Sequence, residues 1–272
     1  MKNIINKLTP YQHFLVFLII LTVLKIANVF ITEGSEDGLH FAMLGVGLIL
    51  ISTLLHFLFS FLFDKKKKYL HSLISTFLII LMLSHADPEP IRGIMVILFL
   101  YLSKFFIKYK GENIFNPVAF TIGFVTILAF FIPTLGIPPM DFTGIDIRFP
   151  IAGFQVPLPI IPITLALIFN VGRMKKHPLA LTYILFSLLI GITTPAFTEN
   201  IFSFITIVLF TGAALVVEPK TSPTDVKQQV IYGGLMAILI ATLSILEVPN
   251  AIVLGLLIGN IGWILFRKIK NK

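Results

Sequence analysis

The chain contains no cysteine, which excludes disulfides, thiol catalysis, c-type haem attachment and protein-ligated iron–sulfur clusters. Charge is nearly as scarce. Only 12% of its 272 residues are Asp, Glu, Lys or Arg, about half the share of an ordinary soluble domain. The sequence has no Walker loop, G-x-G-x-x-G turn, nucleophile elbow or H-E-x-x-H pair. Hydrolysis in the manner of soluble enzymes is therefore not indicated. Long polar, Gly/Ser-rich or low-complexity linkers are missing too, so the reading is a single membrane domain over 1–272.

What remains is apolar. Hydrophobic residues make up 57% of the chain and the mean hydropathy is +0.97. Such a composition points to lipid as the solvent for most of the surface. A membrane span needs about 20 mainly apolar residues to cross about 30 Å of hydrocarbon. Runs of that kind fall at roughly 13–32, 39–63, 69–85, 90–108, 117–134, 156–171, 178–195, 201–217, 228–246 and 249–267. The first is too long for a signal-peptide core and is kept as a helix. The run 156–171 is short and carries Pro157, Pro159 and Pro162, which reads as a broken helix lining a cavity.

Charge tests this count. If the N-terminus is cytoplasmic and each run reverses the side, all but Lys25, Arg92 and Arg148 of the 21 Lys and Arg lie inside. Every acid except Asp64, Glu112, Glu218 and Asp225 then lies outside. The formal charge of +8 therefore reads as retention of basic loops at the cytoplasmic face, not as affinity for nucleic acid. The expected fold is all-α, with about ten spans and both termini on the cytoplasmic side of the cell membrane. Its partners include the bilayer, which Lys65 to Lys68 meet at the anionic surface.

Two landmarks recur. Asp87-Pro88 closes the third run and Glu218-Pro219 the eighth, at an offset of 131 between prolines. Asn116-Pro117 opens the fifth and Pro249-Asn250 the tenth, at an offset of 132. Together they suggest two repeats of five helices, about 10–135 and 150–268. Five is odd, so the second copy would be inverted, with a site expected at the interface of the repeats. The competing reading is that proline and asparagine favour helix starts in any context.

Few polar groups are available for chemistry. Asn116 and Pro117 suit the start of a helix, whose N–H groups can be capped locally or can hold an anionic or carbonyl-rich ligand. Glu218, Thr221 and Ser222 lie at a helix break, where they can cap the next helix or line a polar cavity. His56 lies deep in the second run, where an ionisable group is costly. It can relay protons, contact a cofactor, or sit neutral and hydrogen-bonded in the core. Lys25 is close enough to the end of its run to snorkel, and is given no role. His85 and Asp87 read as part of a solvated turn.

These strings resemble a known family. Glu112-Asn113-Ile114-Phe115-Asn116-Pro117-Val118-Ala119-Phe120 is similar to the N-I-F-N-P-A string that opens the fifth helix of the membrane subunits RnfD and NqrB. The run Gly212-Ala213-Ala214, then Glu218-Pro219-Lys220-Thr221-Ser222-Pro223, resembles their G-A-x-F-M-A-T-D-P-V-T-S-P, and Ile231-Tyr232-Gly233 continues it. The resemblance covers about residues 40–265. It implies two inverted five-helix repeats, similar to urea channels, and a flavoprotein subunit of an ion-translocating oxidoreductase that exchanges electrons with other membrane redox subunits. The site it implies has Asn116, Pro117, Glu218, Thr221, Ser222 and His56 near a flavin between the repeats. The family's S-G-A-T motif for covalent FMN is missing from Met140 to Pro150, where Thr143 is no good substitute. The implied cofactor is FMN or riboflavin held noncovalently. A small-solute channel or transporter on the same scaffold is the alternative, and a purely structural anchor for partners a third.

Overall fold

The computed structural model describes residues 8–63, 69–84, 90–109, 112–113, 115–132, 145–151, 154–193, 201–218 and 221–270. Among them ten helices follow in order: α1 (Pro10–Thr32), α2 (Ser35–Leu62), α3 (Tyr69–Met82), α4 (Pro90–Phe106), α5 (Pro117–Phe131), α6 (Ile160–Ala166), α7 (His177–Gly191), α8 (Ile201–Phe210), α9 (Val226–Ile245) and α10 (Ala251–Lys270). The all-α class holds. Three helices, α1, α2 and α9, are long and apolar enough to cross a membrane by length and composition. Two small antiparallel hairpins were not expected, β1 (Lys108–Tyr109) with β2 (Glu112–Asn113) and β3 (Arg148–Ile151) with β4 (Phe154–Pro157). Pro88, Pro219, His85, Asp87, Lys65 to Lys68 and the loop from Met140 to Gly144 lie outside the described residues.

Local chemistry sets the helix starts. Thr9 and Gln12 form a reciprocal capping box ahead of Pro10, and the Asp225 side chain accepts from the Gln228 amide at the head of α9. Helix α2 begins at Ser35, four residues before the hydrophobic run, because Glu36 and Asp37 in its first turn favour the positive end of the helix dipole. Helices α6 and α8 each run on into a π-helical turn, Leu167–Val171 and Thr211–Leu215.

The chain divides into two compact units, Met1–Phe105 with Pro138–Asn170, and Phe106–Ile137 with Val171–Lys272. Each unit therefore takes in a segment from the other half of the sequence. In the first, α1 packs on α2, α3 and α6. Lys25 is fully buried there. It does not snorkel: its ammonium donates to the Leu81 carbonyl at 2.9 Å and the Leu83 carbonyl at 2.6 Å, and lies 5.4 Å from the centre of the Phe41 ring. The reason is the end of α3, whose last carbonyls have no partner within the helix and are buried.

The faces of α2 are inverted relative to a soluble helix. Met43, Val46, Leu50, Leu54, Phe57 and Phe61 form an exposed apolar stripe, while Ser52 and His56 are buried. At 1.5 Å per residue the stripe is about 27 Å long.

In the second unit α9 packs against α7 and α10, and α10 against α5. A Cβ built on Gly233 would stand 2.7 Å from the Leu179 carbonyl oxygen, which is backbone and cannot swing aside. At Gly47 of α2 a Cβ would meet nothing within 4 Å. Gly233→Ala is therefore expected to cost about 2 kcal/mol or more through overpacking. Gly47→Ala is expected to be neutral or to stabilise by up to about 1 kcal/mol through helix propensity. Thermal unfolding of the two variants in detergent checks the contrast.

Candidate functional site

One set of polar residues in the second unit lies at the head of α5 and around the turn between α8 and α9. Asn116 is buried at the head of α5. Its Oδ1 accepts from the amides of Val118 at 3.0 Å and Ala119 at 3.3 Å, and its Nδ2 donates to the Leu215 carbonyl at 3.2 Å. One side chain thus caps α5 and ties it to the last π-helical turn after α8. Those two amides are engaged by the cap. Pro117 occupies the first helical position, where its missing N–H costs nothing.

Glu218 organises the turn after α8. Its backbone carbonyl accepts from the amides of Thr221 and Ser222 and from the Ser222 hydroxyl, while the Thr221 hydroxyl donates to its carboxylate at 2.8 Å. The hydroxyls of Thr221 and Ser222 are therefore engaged within the turn. Lys176, just before α7, is buried against the same turn and donates to the carbonyls of Ser222, at 3.2 Å, and Pro223. In sequence Lys176 reads only as one member of a cytoplasmic basic cluster, since nothing local marks it as buried.

From this turn the polarity continues onto α9 and α10. The Gln229 side chain donates to the carbonyls of Lys175 and Thr224. Tyr232, one turn on, lies within electrostatic reach of the Glu218 carboxylate and donates to Asn260 Oδ1 at 2.8 Å. Gln229 and Asn260 are each about 98% buried or more, yet Gln229 Oε1 and Asn260 Nδ2 have no hydrogen-bond partner among the described residues. Thr211 Oγ1 of the same unit, and Ser60 Oγ and Asn170 Oδ1 of the other, are also unpartnered among the described residues; each such atom costs about 1–3 kcal/mol and requires a reason.

Asn116, Pro117, Glu218, Thr221 and Ser222 all fall in this unit. His56 falls in the other, on α2, with its Nδ1 3.0 Å from the Ser72 hydroxyl oxygen. Gln229 and Asn260 escape sequence reading because each is a lone amide on an otherwise apolar helix, a pattern equally suited to a satisfied core residue. Their signal is position: Gln229 and Tyr232 share a face at the i, i+3 spacing.

Burial pushes the Lys176 ammonium down to about 8 from its ordinary value of 10.5, with the Glu218 carboxylate partly holding it up. No protein-family model and no curated protein sequence matches the chain.

The depressed value fixes a sign. Below about pH 8 Lys176 is charged in both the folded and unfolded chain, and the linkage contributes no slope. Between about 8 and 10.5 only the unfolded chain holds the proton, so stability rises with pH across that window. The neutral amine still carries two N–H groups, enough for both carbonyls. Tm is therefore expected to gain a component that rises from pH 8 to 10, and Lys176→Met is expected to remove that component. Scanning calorimetry of the pair across this range measures it.

Proposed function

We propose that the chain is an integral membrane protein of ten spans with both termini cytoplasmic. It is built as two inverted five-helix repeats and acts as an electron-transfer subunit resembling RnfD and NqrB. Support for the membrane reading comes from α2, whose outward stripe is apolar and whose buried face carries Ser52 and His56, as expected when the solvent is lipid. Alternation of basic and acidic loops supports the orientation. Helix α3, with 14 residues, covers only about 21 Å. Such short helices suit broken spans that stop at an interior site rather than rods that cross the whole bilayer.

The observation that supports the cofactor reading is that two of the unpartnered buried atoms, Gln229 Oε1 and Asn260 Nδ2, are linked through Tyr232, which lies one turn from Gln229 and donates to Asn260. The pyrimidine edge of a flavin offers an N–H donor between two carbonyl acceptors. Gln229 Oε1 supplies the matching acceptor and Asn260 Nδ2 the matching donor. Lys176 and Glu218 set the local charge, and Tyr232 fixes Asn260 by donating to its oxygen. When bound, the flavin supplies the redox chemistry, while these side chains bind and orient it and tune its charge. FMN or riboflavin is held noncovalently, and electrons pass to neighbouring membrane redox subunits.

The purified protein is expected to be yellow, with the colour released to the supernatant on acid precipitation. Asn260→Asp keeps an oxygen for Tyr232 but removes the donor, and is expected to weaken flavin retention about tenfold or more, the cost of a lost buried hydrogen bond. Absorbance and fluorescence of the supernatant measure both. A colourless, folded preparation would favour a small-solute channel or transporter.

A further inference from the structure

Within the second unit, α9 and α10 form an antiparallel pair whose register is fixed by two glycines. A Cβ on Gly255 would collide with Ile240, and one on Gly259 with Met236. In the same register Tyr232 donates to Asn260 and meets the Trp263 ring edge-on, with ring centres 5.9 Å apart. Carried one turn further, it sets Lys227 and Gln228 at the start of α9 level with Arg267 near the end of α10. A third element joins them there, because the Gln229 side chain donates to the Lys175 carbonyl just before α7.

Charge and apolar surface are sharply divided along this pair. Lys175, Lys227 and Arg267 are all exposed at the one end, and Lys268, Lys270 and Lys272 follow in the sequence. The carboxylates on the adjoining segments are already engaged: Asp225 accepts from the Gln228 amide, and Glu218 from the Thr221 hydroxyl. From Lys227 an exposed stripe of Ile231, Leu235, Ile238 and Ile245 runs to Glu247, exposed at the far end of α9. At 1.5 Å per residue, Lys227 and Glu247 stand about 30 Å apart, the thickness of a bilayer's hydrocarbon core. On α10, Ile258, Ile261, Leu265 and Phe266 are likewise exposed up to Arg267. Trp263, the only tryptophan of the chain, lies one turn inside Arg267. It is half-buried and stacked on Phe266, with ring centres 5.5 Å apart. An aromatic pair at that depth, with cations one turn further out, matches the headgroup level of a membrane.

We propose that this end of the α9–α10 pair is a docking surface for phospholipids of net negative charge. Acyl chains lie along the exposed stripes, and headgroups meet Lys227 on α9 and Arg267 on α10. The apolar stripes alone would accept any lipid. Clustered cations beside carboxylates that are already hydrogen-bonded are what favour an anionic headgroup over a zwitterionic one. The inference rests on the membrane reading above and is independent of the flavin.

The test places the full chain in vesicles in which one lipid carries brominated acyl chains, which quench tryptophan fluorescence on contact, so that Trp263 is the sole reporter. At low salt, brominated phosphatidylglycerol is expected to quench Trp263 at about a tenth of the mole fraction that brominated phosphatidylcholine needs, the worth of one or two basic residues beside an anionic surface. Lys227→Gln combined with Arg267→Gln is expected to bring the two lipids within about twofold of each other, whereas Arg267→Lys keeps the preference because it keeps the charge. Salt at about 0.5 M is expected to weaken the preference by screening. Equal quenching by the two lipids, or a preference unmoved by the double variant, would overturn the assignment. Quenching by neither lipid, as when a second copy of the chain covers this end, would overturn it too. So would competition by inorganic phosphate beyond that of chloride at equal ionic strength, which would give the cluster to free phosphate. Flotation of the vesicles on a density gradient separates these results from failure of the membrane reading: a chain left behind by the vesicles overturns both.

Discussion

A helix that stops in a dry interior leaves carbonyls that must find donors there, and this constraint governs both units. In the first, α3 ends at Met82 among fully buried residues, and the Lys25 ammonium takes the carbonyls of Leu81 and Leu83. In the second, Asn116 takes the carbonyl of Leu215 at the end of the π-helical turn, and Lys176 takes those of Ser222 and Pro223 in the turn that leads into α9. A lysine suits this work because it brings three donors and no acceptor on a long flexible stem. The two lysines come from different places, one from the body of α1 and the other from the segment before α7. The two units therefore share a physical solution rather than a sequence motif.

The same constraint explains the economy of the candidate site. Asn116, Thr221 and Ser222 look like ligand groups because they are polar residues at breaks. Breaks are also where backbone demand is greatest, and there their polar atoms are engaged. Among the described residues, unpartnered atoms occur both at breaks, where Asn170 Oδ1 and Thr211 Oγ1 lie in the π-helical turns, and within continuous helices. Gln229 and Asn260 sit inside α9 and α10, where the backbone asks nothing of them. Hydrogen-bonding capacity that the fold does not consume is a sounder guide to a site than polarity alone.

How much of this is legible in the sequence follows from the range of each interaction. Helix starts at Pro10, Pro117 and Val226 follow from caps within three residues, so they can be read directly. Hydropathy and the i, i+3, i+4 stripe of α2 are local too. The burial of Lys25 and Lys176 depends on carbonyls 56 and 46 residues away, and no window of sequence contains both partners. Prolines are legible only in part: Pro157, Pro159 and Pro162 suggest a short broken helix over 156–171, and the segment divides into the hairpin strand Phe154–Pro157, the short helix Ile160–Ala166 that contains Pro162, and the π-helical turn Leu167–Val171. Proline's fixed φ suits an edge strand as well as a helix start.

His56 shows what position in the fold adds to residue identity. From sequence it is one ionisable group on an apolar helix, with proton relay, cofactor contact and inert core all open. Packing narrows them: the imidazole is buried, its Nδ1 lies 3.0 Å from the Ser72 hydroxyl oxygen, and the rings of Tyr69 and Tyr101 stand 5.2 and 6.5 Å from its own. A polar group costs least in such a core when a partner meets it there. Those partners come from α3 and α4, the nearest of them 13 residues along the chain from position 56, so the setting of His56 belongs to the fold and not to the apolar run that carries it.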